Sequence, residues 1–221
     1  DVLDLTKNSN FEECCFLLLH DHLPNKTEFE EFTSKLKKAR EIPEQMQKNM
    51  RNWRKNAHPM DVLQAFVAAL AGYYDEQGTE KEISQQRAIN LIAKVPTIIS
   101  SWERVRNDKE PIQPDTELSH ASNFLYMLTG NKPDKEMERV FDVCLILHAD
   151  HTFNASTFAA REVASTRAHM YSAVSAAVGA LSGELHGGAN YEVMKMLLDI
   201  KDEGNAEEWV KSKIENGDRI M

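Results

Sequence analysis

Thiol chemistry is sparse in this sequence. The three cysteines, Cys14, Cys15 and Cys144, are odd in number, two of them are adjacent, and no Cys-x-x-Cys occurs. That argues against a disulfide framework or a thiolate zinc site and fits a reducing compartment, the cytoplasm. Positive charge is also short: 26 basic against 35 acidic residues leave a net −9. A broad nucleic-acid or anionic-membrane surface would be basic, so neither partner is expected, although one local basic pocket for a phosphorylated co-substrate stays open. No apolar run reaches about 18 residues, the length a membrane-spanning helix needs. The opening Asp1-Val2-Leu3-Asp4 lacks both a methionine and the basic region of a signal peptide, and reads as a start other than the native one. Gly-x-Ser-x-Gly and Gly-x-x-x-x-Gly-Lys-[Ser/Thr] are missing, which removes the commonest serine-hydrolase and nucleotide-phosphate motifs.

Strand alternation is missing too, and what remains reads as helix almost throughout. Asn8-Ser9-Asn10 and Asn25-Lys26-Thr27 offer N-caps. Phe29, Phe32, Leu36 and Ala39 recur every three or four residues between charges. Pro43 suits the first turn of a short helix to about Trp53. His58-Pro59-Met60 opens an apolar helix from Val62 to Tyr74 whose Ala65, Ala68, Ala69, Ala71 and Gly72 allow close helix approach. A long helix over 80–106 carries Pro96, which displaces a backbone bond. Further helices are expected at about 115–129, 134–149, 154–167, 170–181, 190–201 and 205–216. The 170–181 segment has almost no charge and should be buried on most sides. With 221 residues, the chain can form one large domain or one domain and part of a second.

Two polar corners interrupt the apolar runs. The first is Asp150-His151-Thr152-Phe153-Asn154, followed by Ser156 and Thr157. His151 can satisfy helix-end carbonyls, or it can join these hydroxyls and amides at a ligand; Ser156 and Thr157 can equally be helix caps. His148 and His151 at i and i+3 can share a metal, but the third ligand is lacking and no metal site is expected; His148 fits a structural helix-end residue better. The second corner is Leu185-His186-Gly187-Gly188-Ala189-Asn190. Two glycines allow a tight turn and a close approach of ligand to main chain. A neutral imidazole, favoured at a helix start by the dipole, can donate to a carbonyl oxygen where negative charge develops, which suits enolate chemistry. A glycine-rich turn with an incidental histidine explains the spacing equally well. Cys144 lies in an apolar run and reads as a small core residue. Arg161 can hold a carboxylate, though an exposed helix salt bridge is the commoner fate, and the Glu/Lys run at 203–218 reads as a solvated face.

Taken together, His58-Pro59-Met60-Asp61-Val62-Leu63, His148-Ala149-Asp150-His151, Asn154-Ala155-Ser156-Thr157-Phe158-Ala159-Ala160-Arg161, Tyr171-Ser172 and Leu185-His186-Gly187-Gly188-Ala189-Asn190 resemble the citrate synthase family, which includes 2-methylcitrate synthases. The match runs through the whole chain in order. The resemblance implies an all-α fold: a large helical domain over residues 1–185, and over 186–221 the beginning of a small domain. It implies a homodimer that condenses an acyl-CoA with an oxo-acid, acetyl-CoA with oxaloacetate in the leading reading, and then hydrolyses the thioester. No permanently bound cofactor is implied; the coenzyme A thioester is a co-substrate. By motif, His186 would hydrogen-bond the thioester carbonyl as the catalytic residue. His151 and Asn154 would bind the oxo-acid, with Ser156 and Gly187 in support, and Arg219, Ile220 and Met221 would hold coenzyme A.

The alternatives are a 2-methylcitrate synthase using propionyl-CoA and a non-catalytic helical scaffold, the latter if the chain natively ends near residue 221. The family's Gly-x-Gly-His segment, its proton-abstracting aspartate and its later arginines have no counterpart in these 221 residues. The sequence is therefore expected to be an internal piece of a synthase. Local departures from the pattern, Glu184, Tyr191 and Arg167-Ala168-His169, flank the motifs rather than interrupt them.

Overall fold

A computed structural model of the chain describes residues 1–149, 154–218 and 220, without the side chains of 189, 190 and 203. Twelve α-helices and no strand are present among the described residues: α1 (Val2–Asn8), α2 (Phe11–His20), α3 (Lys26–Lys38), α4 (Glu44–Met50), α5 (Pro59–Ala69), α6 (Glu80–Arg106), α7 (His120–Thr129), α8 (Lys135–Leu147), α9 (Ala155–Ser165), α10 (Met170–Leu181), α11 (Gly188–Glu203) and α12 (Ala206–Glu215). None of the described helices is long and apolar enough to cross a membrane.

The caps explain most boundaries. Asn10, Asn25 and Thr79 each accept from the amide three residues on, and a glutamate there bonds back to the cap amide, so α2, α3 and α6 all begin with a capping box. His58 caps α5 by accepting from Met60 N at 3.3 Å, with Pro59 in the first turn. Pro43 sits just ahead of α4 rather than inside its first turn, and a 3-10 turn, Leu70–Gly72, closes α5 early.

Helix α6 is the axis. One face presents Leu91, Ile98, Trp102 and Val105 to Ile42, Met46, Met50, Val62, Phe66, Val67, Leu70 and Tyr171. Another presents Ile89 and Ala93 to Cys15, Phe16, Phe32 and Leu36. Each fully buried aliphatic or aromatic side chain here contributes roughly 1.5–3 kcal/mol. The register of α6 is then fixed by polar groups. Lys94 donates to the Ala39 carbonyl and Thr97 Oγ1 to the Arg40 carbonyl at 2.7 Å. Arg40, 1% exposed, donates from Nη1 to the carbonyls of Asp115 (2.7 Å) and Leu118 (3.0 Å). The end of α3 is thereby tied to α6 and to the loop before α7. At the far end, Tyr171 donates to Glu76 Oε1 at 2.5 Å, beside Asn90 and Arg87 of α6.

Helix α10 crosses α5 closely. Ser175 Oγ donates to the Gln64 carbonyl at 3.0 Å, and a Cβ on Gly179 would meet the Gln64 side chain. The small residues on both helices serve this approach. Residues 171–180 are buried or half-buried, so α10 is less enclosed than its composition predicts. Helices α11 and α12 pack mainly on each other, around the buried Trp209.

Two expectations, for α7 and Cys144, need correction, and α1 is an addition to the expected helices. Helix α7 starts at His120, not near 115. Arg40 takes the carbonyls of Asp115 and Leu118, and Ser119 caps the helix through Ser122 N at 3.1 Å. Helix α1 is not marked by any apolar pattern; Asp1 caps it, and Arg139 holds its end through the carbonyls of Thr6 and Ser9. Cys144 is exposed rather than in the core, because α8 buries the stripe of Asp142 and Ile146 and Cys144 falls on the other side.

A buried pair joins α2 to α7: the His120 amide donates to Glu12 Oε1 at 2.7 Å. Burial raises the Glu12 carboxyl, and burial, with Arg40 nearby, pushes the His120 imidazole down to about 3 from an ordinary 6.5. The unfolded chain therefore protonates His120 near pH 6.5 and the folded chain only near 3. The stability at stake is intact above 6.5 and is lost as pH falls toward 3, while Glu12 acts in the opposite sense. From pH 7 to pH 5 the His120 share of the loss is about 2 kcal/mol. Urea unfolding of the wild type and of His120→Leu at both pH values measures it. The variant should lose about that much less than the wild type, and equal losses would contradict the assignment.

Candidate active site

The site is built where α10 ends. Three backbone bonds fold residues 181–188 into a compact corner: His186 N to Gly183 O at 3.0 Å, Gly187 N to Leu181 O at 3.0 Å and Gly188 N to Gly183 O at 3.1 Å. A Cβ on Gly187 would fall on the Leu181 carbonyl oxygen, far inside van der Waals contact. Its φ of −69° needs no glycine, so the requirement is space alone. These bonds also occupy the amides of 186, 187 and 188. The corner thus offers the imidazole of His186 to a ligand, rather than a cradle of main-chain donors. Helix α11 starts at Gly188 without a side-chain cap.

The second part comes from α9. Asn154 caps this helix, its Oδ1 accepting from Thr157 N at 3.0 Å. With the cap supplied by Asn154, the hydroxyl of Ser156 is released from that duty. It reaches across 30 residues to His186 Nε2 at 2.8 Å. His186 and Ser156 are both half-buried, and Nδ1 of His186 has no partner among the described residues. If Ser156 donates, Nδ1 is the nitrogen that carries the proton, and the ring presents a donor on its free edge.

Of the residues singled out in the sequence, Asn154, Ser156, His186 and Gly187 thus fall on the two sides of one corner. His151, Arg219 and Met221 lie outside the described residues; Ile220 is described and is exposed. His148 ends α8 and donates from Nδ1 to the Cys144 carbonyl at 2.6 Å, the structural role that fits it. No cluster of three or more potential metal ligands occurs among the described residues. Arg161 is exposed. Sequence reasoning did not foresee that Ser156 would bond to His186. The available signal was the Asn154 cap, which leaves the neighbouring hydroxyl unemployed.

Known proteins supply the next constraint. A family model described as the citrate synthase C-terminal domain matches residues 1–221. A citrate synthase from Synechocystis is 42% identical over 221 residues, which is 100% of this chain and 56% of that protein. A 2-methylcitrate synthase from Mycobacterium tuberculosis is 38% identical over 220 residues, again 100% of this chain and 56% of the relative. The crystal structure of citrate synthase from Pyrobaculum aerophilum superimposes with a TM-score of 0.82 at 41% identity, covering 89% of this chain and 51% of that one. The chain therefore spans little more than half the length of these proteins.

Two substitutions probe the corner directly. In Ser156→Ala, the His186 ring should lose its tautomer preference, read from its ring 15N shifts, while the helical content stays unchanged. Gly187→Ala should destabilise the corner by about 2 kcal/mol or more, as forced strain in a tight turn does. Amide exchange at 183–188 measures this, and unaltered protection there would show that the Leu181 carbonyl is not the obstacle.

Proposed function

The chain belongs to the citrate synthase family, and from that premise we propose that the protein condenses acetyl-CoA with oxaloacetate, passing through an enol or enolate to citryl-CoA, whose hydrolysis yields citrate and coenzyme A. The observation that carries the reading is the 2.8 Å bond between Ser156 Oγ and His186 Nε2.

In this reading Ser156 donates to Nε2 and holds the ring as the Nδ1–H tautomer. Nδ1–H then donates to the thioester carbonyl oxygen. As a proton leaves the adjacent methyl group, charge moves onto that oxygen and the bond strengthens, so the interaction favours the transition state over the bound substrate. The amides of 187 and 188 are engaged within the corner, so the imidazole supplies this stabilisation itself. The base that removes the proton is not assigned to any residue of these 221. His151 and Asn154 are proposed to hold the oxo-acid. Asn154 uses Oδ1 for its helix, which leaves its amide NH2 as the group for a carboxylate or keto oxygen. Arg219, Ile220 and Met221 are proposed at the coenzyme A end. No resident cofactor is part of the scheme.

The same reading includes a division near residues 185 and 186, a homodimer and a cytoplasmic location. The mutual packing of α11 and α12 supports the division. Large apolar side chains left exposed on α9 and α11, Phe158, Tyr191, Met194, Leu197 and Leu198, support the covering of these faces in an assembly. The three free thiols support a reducing compartment. Propionyl-CoA as the preferred substrate is the weaker reading, since the Synechocystis citrate synthase at 42% identity exceeds the 2-methylcitrate synthase at 38%. The two substrates differ by one methylene, worth about 1–3 kcal/mol in discrimination.

Release of coenzyme A thiol from acetyl-CoA, dependent on oxaloacetate, tests the activity in the full-length protein. His186→Ala should lower kcat by about 10²–10³, the usual cost of one oxyanion donor, with the fold retained. Turnover near the wild-type rate in that variant would remove His186 from the mechanism. Propionyl-CoA in the same assay should give the lower kcat/KM. Release with neither thioester would favour the scaffold instead.

A further inference from the structure

A cleft of about 450 Å³ opens between the end of α3, the first half of α6 and residues 74–76. Three lysines line it, Lys35 and Lys38 from α3 and Lys94 from α6. Lys94 is the unusual one. It is 3% exposed, so little water reaches it. An ammonium group has three donors. The Ala39 carbonyl takes one, and the ring of Tyr74, 4.8 Å away, offers its π face to another. The third has no acceptor among the described residues.

Buried charges in folded proteins are normally paired, and here the anion is short. Among the described residues none of the three lysines forms an ion pair. Glu41 acts on Lys94 only from longer range. Two carboxylates line the cleft, but Glu76 is taken up by Arg87 at 3.1 Å and by Tyr171 and Asn90. Asp75 alone remains against three ammonium groups. The dipole of α3 favours Lys35 and Lys38 in its last turns, but it does not account for a buried cation on the neighbouring helix. Nor does the register of α6 require that charge. Thr97 serves the next carbonyl, that of Arg40, with a neutral hydroxyl.

We propose that this cleft binds a phosphate group, held by the ammonium groups of Lys35, Lys38 and Lys94. Donors on flexible stems converge from two helices, which suits a tetrahedral oxyanion with several acceptor oxygens. The phosphate supplies the counter-charge that the lysines lack, and the exposed amide of Gln86 adds a neutral donor at the rim. A free phosphate ion and a small phosphate monoester carry the same recognised group. The site is independent of the proposed condensation, and none of its lining residues belongs to the His186 corner.

The test uses inorganic phosphate and glycerol 3-phosphate as probes, with the full-length protein at pH 7 in a phosphate-free buffer of constant ionic strength. Calorimetric titration should show one saturable site per chain, and the tighter probe identifies the source as the free ion or a monoester. In 1H–15N spectra of the lysine side chains, the Lys94 signal should move with occupancy. Lys35 and Lys38 are exposed, so their variants should keep the wild-type helical content. Lys38→Gln and Lys35→Gln should each weaken binding about tenfold, the worth of one charge-assisted hydrogen bond. Asp75→Asn removes the opposing carboxylate and should tighten binding. The proposal is overturned if neither probe binds saturably, if binding survives the Lys35→Gln/Lys38→Gln double variant, or if the Lys94 signal stays fixed at saturation. A carboxylate brought to Lys94 by residues outside these 221 would give the first of these results.

Discussion

The fold depends on how the end of α3 is held. A helix C-terminus leaves several carbonyls without intrahelical donors, and here the chain turns inward just past it, at the buried Arg40. Lys94 and Thr97 of α6 supply donors to the carbonyls of Ala39 and Arg40. Arg40 in turn supplies the carbonyls of Asp115 and Leu118. Burial lowers both cations, Lys94 to about 8, so they are kept charged at a cost that only this set of acceptors offsets. A one-turn slip of α6 would leave the buried Lys94 ammonium without its acceptor and the Arg40 carbonyl without its donor, a loss of several kcal/mol. Apolar packing alone tolerates such slips far better. Polar bonds therefore choose the register, and apolar burial supplies most of the stabilisation.

Once α6 is placed, the site follows by a chain of contacts. Asn90 and Arg87 of α6 meet Glu76, which accepts from Tyr171 in the first turn of α10. Ser175 and Gly179 then fix how α10 crosses α5. The direction of α10 determines where the Leu181 carbonyl points, and that carbonyl receives the Gly187 amide. His186 is thus positioned by a helix whose other end is bolted to the core axis. Its ring is aimed by Ser156 on α9, the helix that packs along α10. Position and orientation come from two different helices, so a change in either element disturbs the imidazole.

Much of this was legible in residues. Helix boundaries at Asn10, Asn25, His58 and Thr79 follow from cap chemistry, which is local. The approach of α5 and α10 follows from small residues at helical spacing. The two polar corners could be found from their breaks in apolar runs, and the motif resemblance gave His186 its proposed role. What could not be read depends on distant partners. Arg40 removes 115–118 from α7 by claiming carbonyls some 75 residues away, a link that no local pattern announces. Cys144 looks like core in a one-dimensional run, yet the turn of α8 carries it outward. The glycines at 187 and 188 suggested an open main chain, whereas their amides close the corner on itself.

That closure narrows the chemistry open to the corner. An oxyanion site made of main-chain amides is rigid and indifferent to protonation state. A site made of one imidazole works only in the tautomer that leaves a proton on the edge facing the ligand. Ser156 is the group that can enforce this, because a hydroxyl donated to Nε2 makes Nδ1 the only place for the ring proton. Asn154 makes Ser156 available by taking the cap of α9. A helix cap, a hydroxyl and an imidazole therefore form one sequence of dependencies across 33 residues.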